Sequence, residues 1–141
     1  MNLNRVYHIY DAIKDRLPKT YPRPKLAFFE DEHCMLTNNH IRPKKDESVF
    51  AVVSPETYTI SLPLTMTFEY TKKADGVDYT NTVPINKLSD EDIAHTILHE
   101  IGHLYAGERY GYGSKQYDDE RYCDKFADRW IRILTKENLL C

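Results

Sequence analysis

The segment from Ser89 to Gly107 constrains the fold of this 141-residue chain more than any other. A serine followed by three acids is typical of a helix N-terminus, with the serine as N-cap. Apolar residues and histidines then recur at helical spacing on two different faces. They are Ile93, Ile97, Ile101 and Leu104 on one face, and His95, His99 and His103 on the other. The segment therefore predicts a helix with one face in the core and one face lined by imidazoles.

The composition limits the class of protein. The length suits one compact domain, residues 1–141, with a single core. The net charge is −3 without a strongly basic block, so we expect no nucleic acid partner. No signal-like N-terminus and no membrane-length apolar run occur, so we expect a cytoplasmic protein without membrane contact. Three scattered cysteines without a CxxC pair are expected to be free thiols: Cys34, Cys123 and Cys141.

The N-terminal half predicts a helix followed by short strands. Residues 3–17 have the spacing of an amphipathic helix, and the prolines after it force an extended loop. Residues 31–47 are polar and are expected to be irregular. The predicted strands are a buried run at 49–53, an alternating and half-exposed run at 57–62, a short run at 26–29, and a hairpin with arms at 66–70 and 77–83.

A last helix is predicted from near Asp118 to about Asn138. Its expected buried side is Cys123, Phe126, Ala127, Trp130, Ile131 and Leu134. The predicted fold class is therefore α+β. An N-terminal helix and a small, mainly antiparallel sheet precede two C-terminal helices that carry the chemistry.

Within the histidine-bearing helix, residues 99–103 spell His-Glu-x-x-His. Side chains four apart on a helix lie about one turn apart, so His99 and His103 can bind one metal ion. Glu100 lies beside them, where it can take a proton from a metal-bound water. The motif predicts zinc-assisted hydrolysis with one Zn²⁺ per chain. His95, one turn earlier, is an alternative fourth ligand, although a surface position or a supporting role is favoured.

A catalytic zinc ion normally has three protein ligands and one open position, so a third ligand is needed. Glu120 and Asp124 are four residues apart on the last predicted helix and share a face. We expect Glu120 to be the third ligand. We expect Asp124 to accept a hydrogen bond from the free ring nitrogen of a ligand histidine, which fixes the tautomer of that imidazole. Asp119 competes with Glu120 for the ligand role.

The chain resembles the gluzincin metallopeptidases, and among them the ImmA/IrrE-type peptidases. The matching motifs are His99-Glu100-x-x-His103 and, seventeen residues on, Glu120-x-x-Cys123-Asp124-x-Phe126-Ala127. The family pattern has alanine where this chain has Cys123. The resemblance covers roughly residues 49–135 and includes a strand similar to Tyr58–Leu62. It implies a minimal zincin-like fold around the two metal-binding motifs.

Motif and resemblance together predict a zinc endopeptidase that cleaves a specific intracellular protein, with Glu100 as general base. The expected partner is a protein or peptide substrate, with a regulatory protein as a further candidate. A strand near 57–62 is expected to pair with the substrate backbone, as sheet edges do. Candidate oxyanion-stabilising residues near the cleft, among which the sequence does not choose, are Tyr105, Arg109, Tyr110 and Tyr112.

Two other functions remain open at this stage. One is a non-catalytic, zinc-stabilised protein-binding module, and the other is a zinc hydrolase of a non-peptide substrate. Glu100 favours an enzyme, because a pure scaffold needs no base at that position.

Overall fold

The computed structural model describes residues 2–42 and 49–138, and it has the mixed α+β architecture that the sequence predicts. The helices are α1 (Asn4–Arg16), α2 (Glu32–Asn38), α3 (Asp90–Tyr110), α4 (Lys115–Asp118) and α5 (Glu120–Lys136). The strands are β1 (Lys25–Phe29), β2 (Val52–Ser54), β3 (Thr59–Pro63), β4 (Thr65–Thr71) and β5 (Asp78–Pro84). Within the described ranges, no helix is long and apolar enough to cross a membrane.

The strands form two small sheets. In the first, β3 lies between β1 and β2; it is parallel to β1, with Lys25 opposite Thr59, and antiparallel to β2, with Val53 opposite Ile60. In the second, β4 and β5 form the predicted antiparallel hairpin. The predicted single small sheet is therefore two sheets among the described strands, and their pairs are antiparallel, as expected, apart from β1–β3.

The predicted strand at 57–62 has its expected apolar face, but its second half is buried on both sides. In the structure β3 is the central strand, and Ile60 and Leu62 are fully buried. Ser61 is buried as well, and its hydroxyl lies 3.3 Å from the amide nitrogen of Asn39. Ser61 can therefore be buried in β3, because the Asn39 side chain gives its hydroxyl a hydrogen-bond partner. The free edge of this sheet near the histidine helix belongs to β2, so the expected role of 57–62 as a substrate-pairing edge strand is also wrong.

The predicted strand at 49–53 is shorter than expected. Only Val52 and Val53 of that run belong to β2, and Phe50 is 39 % exposed. A buried β-branched run was the basis for the prediction, but the edge position of β2 leaves its outer side without a sheet partner among the described strands.

The polar stretch predicted to be irregular contains a helix, α2. The carboxylate of Asp31 caps it by accepting from the main-chain nitrogen of Cys34 at 2.8 Å. Met35 and Leu36 are buried, and they hold α2 against the sheet. Apolar burial of two residues therefore outweighs the polar composition of this segment. Residues 43–47 of the same prediction lie outside the described residues.

The core lies between α1, α3, α5 and the three-stranded sheet. α1 matches the predicted helix 3–17 to within a residue at each end. α3 contributes its apolar stripe as predicted, and α5 buries five of its six predicted core residues, with Phe126 only partly covered. Arg23 closes the loop after α1 by donating to the main-chain carbonyls of Lys14 and Leu17 at 2.8 and 3.1 Å.

The ends of α3 explain how it presents its histidines. Ser89 is the N-cap, as predicted, and its hydroxyl accepts from the main-chain nitrogen of Asp92 at 3.1 Å. The helix continues past Gly107 and ends at Gly111, whose φ of +102° favours glycine. The predicted last helix is α5, which begins and ends within two residues of the expected bounds, and the short helix α4 before it was not predicted.

Candidate metal centre

A close approach between α3 and α5 builds the candidate site. At Gly102 an added Cβ would lie 3.3 Å from the Cα of Cys123 and 3.2 Å from the Phe126 ring. A larger residue at this point would push the helices apart by a few tenths of an ångström. Glycine thus allows the first two turns of α5 to lie directly over the histidine face of α3.

The carboxylate of Glu120 lies between the two imidazoles of the motif. Its Oε2 is 2.6 Å from Nε2 of His99, and its Oε1 is 3.3 Å from Nε2 of His103. The two imidazole rings are 5.0 Å apart, one turn along the same helix face. Three donor groups from two helices therefore converge on one point, as zinc ligands do.

The other ring nitrogens have partners of their own. Nδ1 of His99 is 2.8 Å from a carboxylate oxygen of Asp124, and Nδ1 of His103 makes a short contact with the main-chain carbonyl of Tyr117. A carbonyl oxygen only accepts, so Nδ1 of His103 carries a hydrogen, and Nε2 is the ring nitrogen left to bind a metal ion. Metal-bound histidines are oriented in this way. The residues present therefore fit a zinc ion.

Asp119 has a different position from Glu120. Its carboxylate caps α5 by accepting from the main-chain nitrogens of Arg121 and Tyr122 at 2.9 and 3.3 Å. The structure thus brings Glu120, and not its competitor, against the imidazoles. His95 also lies apart from this point: its Nε2 is 3.4 Å from Asp128 and 3.9 Å from Asp124.

Cys123 is a further donor group of the site, although the sequence predicts only a core position for it. The residue is fully buried, and its sulfur and one ring nitrogen each of His99 and His103 all lie within 4.8 Å of one another. Burial raises the pKa of this thiol, and the negative charges of Glu120 and Glu100 raise it further. Two further donor groups, the Glu120 carboxylate and the Cys123 thiol, therefore lie beside the histidines. The carboxylate of Glu120 lies 2.6 Å from Nε2 of His99 and 3.3 Å from Nε2 of His103.

Glu100 is the buried acid of the site, only 8 % exposed. Burial raises the pKa of its carboxyl to about 8, and the negative charge of Glu120 acts in the same direction. Without a cation nearby this carboxyl is largely protonated at neutral pH. A cation held by Glu120 and the imidazoles would favour the carboxylate, which is the form that a general base needs.

A cleft of about 290 Å³ opens beside these residues. Its apolar wall is Val49, Phe50 and Ala51, and its polar wall is His95, Thr96, His99, Glu100, Glu120 and Asp124. The sequence does not predict a part in the site for this apolar wall, because residues 49–53 have the composition of a buried strand.

The candidate oxyanion residues lie away from this cleft. Tyr105 packs on Tyr21 and Phe126, with ring centroids 4.7 and 5.3 Å apart, and Arg109 donates to the Tyr105 hydroxyl. Tyr112 borders a second, more open groove of about 640 Å³ that also follows β2.

The two described cysteines, Cys34 and Cys123, are free thiols as predicted, and Cys141 lies outside the described residues. Comparisons of the chain with protein-family models, with curated proteins and with solved structures found no match. The resemblance to the gluzincins therefore stays a prediction that rests on the motifs themselves.

Proposed function

We propose that this chain is a zinc-dependent peptidase whose metal is held by His99, His103 and Glu120. One observation carries the proposal: a single carboxylate meets Nε2 of both imidazoles, at 2.6 and 3.3 Å. Nitrogen and carboxylate donors of this kind suit zinc. When bound, zinc supplies Lewis acidity and makes water a nucleophile at neutral pH.

The protein residues would then carry out the proton transfers. Glu100 lines the cleft and takes the proton of the attacking water, then passes it to the leaving amine. Asp124 holds the ring of His99 in place and strengthens it as a donor. The burial of Glu100 keeps its carboxyl out of bulk water and raises its basicity once it is ionised.

Strand β2 would hold the substrate backbone. It lies at the edge of the three-stranded sheet and against α3, and the chain just before it forms the apolar wall of the cleft. An extended peptide can add to such an edge through main-chain hydrogen bonds. The substrate class that fits is therefore an extended protein segment with an apolar side chain beside the cleavage point, for which Phe50 and Ala51 provide contact.

Two measurements test the proposal. Metal analysis of the purified protein should give one zinc per chain, and His99→Ala should lose it. Incubation with a pool of unfolded proteins should give zinc-dependent cleavage that chelation stops, and Glu100→Gln should abolish cleavage while keeping zinc. Cleavage that continues in Glu100→Gln would remove this residue as the base, and a chain without bound metal would overturn the proposal.

The non-catalytic binding module is the second candidate, favoured by the buried thiol beside the histidines. A site in which protein atoms fill all four positions is typical of structural zinc. Zinc retention with no cleavage of any protein in the pool, by the wild type and by Glu100→Gln alike, would support this candidate.

A further inference from the structure

We propose that Cys123 is a fourth metal ligand, and that it closes the site in the resting protein. The inference rests on the metal site proposed above and extends it to a residue that the motif does not include. It makes the resting chain latent, because the position that water needs is filled from within the protein.

The geometry places this sulfur under the histidine pair. Cys123 follows Glu120 by three residues, so both side chains project from the same side of α5 toward α3. Gly102 lies between His99 and His103 on α3, and the Cα of Cys123 approaches it closely. The contact point of the two helices is thus also the point where the sulfur faces the imidazoles.

The distances leave room for a small adjustment. The sulfur and the two ring nitrogens lie within 4.8 Å of one another, whereas donors on one tetrahedral zinc ion are roughly 3.5 Å apart. Side-chain rotations that move the sulfur and the ring nitrogens by about 1 Å would bring these atoms to the spacing of zinc ligands. The residue is fully buried, so the sulfur has little competing contact with water.

The chemistry of the donors favours a thiophilic metal. Thiolate is among the strongest ligands of zinc, and coordination requires the thiol to lose its proton. Binding of the metal would therefore release that proton to the solvent, and no electron is transferred. Two nitrogens, one carboxylate oxygen and one sulfur then complete four-coordination.

Cobalt(II) provides a readout that does not depend on activity. We expect the cobalt-loaded full-length chain to show the visible bands of a four-coordinate ion together with a near-ultraviolet sulfur-to-cobalt charge-transfer band. In Cys123→Ser the charge-transfer band should vanish, and in Cys123→Ala it should vanish as well. The affinity for cobalt should fall at least about tenfold, the lower end of the loss expected even for removal of a supporting partner.

Cys34→Ser is the matched control, because Cys34 lies on α2 and is the other described free thiol. Its spectrum should equal that of the wild type. Cobalt bands without the charge-transfer band, or a charge-transfer band that persists in Cys123→Ser, would overturn the inference but leave the metal site standing. No cobalt bands at all would instead overturn the proposed metal site.

If Cys123 closes the site, its removal should also change the rate of cleavage. If about one molecule in ten is open at rest, removal of the sulfur should raise zinc-dependent cleavage roughly tenfold. Circular dichroism and zinc content show whether Cys123→Ala and Cys123→Ser are folded and loaded. A loaded, folded variant with unchanged or lower cleavage would overturn the latency, even where the charge-transfer band is present.

Discussion

The two imidazoles of the candidate site are held from two different regions of the molecule. On α5, the side-chain carboxylate of Asp124 is 54 % exposed and meets His99 at 2.8 Å. In α4, the main-chain carbonyl of Tyr117 meets His103. A side-chain partner can be removed by substitution, whereas a main-chain partner persists as long as the local backbone keeps its shape. We call His99 with Asp124 one half of the site, and His103 with the Tyr117 carbonyl the other half. Metal affinity should therefore depend on the partner's side chain in the first half and on the local backbone in the second.

Loss of Glu120 should break both halves at once, because its carboxylate contacts both imidazoles. We expect Glu120→Ala to lower zinc affinity by more than about 100-fold, beyond the range for a supporting partner. Competition with a chromophoric chelator measures this change. Glu91→Ala, at an exposed glutamate in the first turn of α3, should leave the affinity unchanged. An unchanged affinity in Glu120→Ala would move the third ligand elsewhere.

The buried Glu100 belongs to neither half and can be tested by pH in the metal-free protein. Its folded-state pKa is raised from 4.5 to about 8, so the folded state holds a proton that the unfolded state has lost. The contribution of this bound proton to the free energy of unfolding is therefore fully present below pH 4.5 and is lost as the pH rises toward 8. Glu100→Gln lacks this titration, and we expect its stability relative to the wild type to increase by about 3–4 kcal/mol between pH 5 and 8.

Urea unfolding in the presence of a chelator measures this difference at both pH values. The wild type well below pH 4.5 provides the reference, since its carboxyl is then protonated in both states. Parallel pH profiles for the two proteins would contradict the raised pKa.

Asp124→Ala should affect one half alone. We expect zinc affinity to fall about 10–100-fold, because His99 loses the partner that orients it. Tyr117→Phe is the matching change on the other half; it keeps the main-chain carbonyl at His103 and should leave the affinity unchanged. Isothermal titration of both variants makes the comparison. Equal losses would show that the two halves do not differ as described.

Asp119→Ala should have the smallest effect. The residue caps α5, so we expect a loss of about 1 kcal/mol in unfolding free energy and retention of zinc. Thermal unfolding together with metal analysis tests this outcome. A larger loss of zinc than in Glu120→Ala would reverse the roles of the two neighbouring acids.

The sequence was sufficient for the features that depend on local periodicity. The cap at Ser89 and the apolar stripe of α3 follow from spacings of three and four residues, and the structure has both. The shared face of Glu120 and Asp124 follows in the same way, since i, i+4 positions lie together on any helix. These are also the residues that the structure brings against the histidine pair.

Features that depend on distant partners could not be predicted. Alternation along β3 is the same for an edge strand and a central strand, and only pairing with both β1 and β2 decides between them. Neighbouring Asp119 and Glu120 offer the same functional group, and the break between α4 and α5 determines which one caps the helix. The carbonyl of Tyr117 has no sequence signal at all, because every residue has one.

The short helix α4 has a consequence for how metal loading would be detected. It has no buried residue, yet it lies between His103 and Glu120 and supplies the carbonyl that orients the first of them. An ion joining those two positions would close a loop of only seventeen residues around α4, for which the entropic cost is small. Loading should therefore appear first as slower amide hydrogen exchange in residues 112–119, a local signal that reports the ion before any global change in stability.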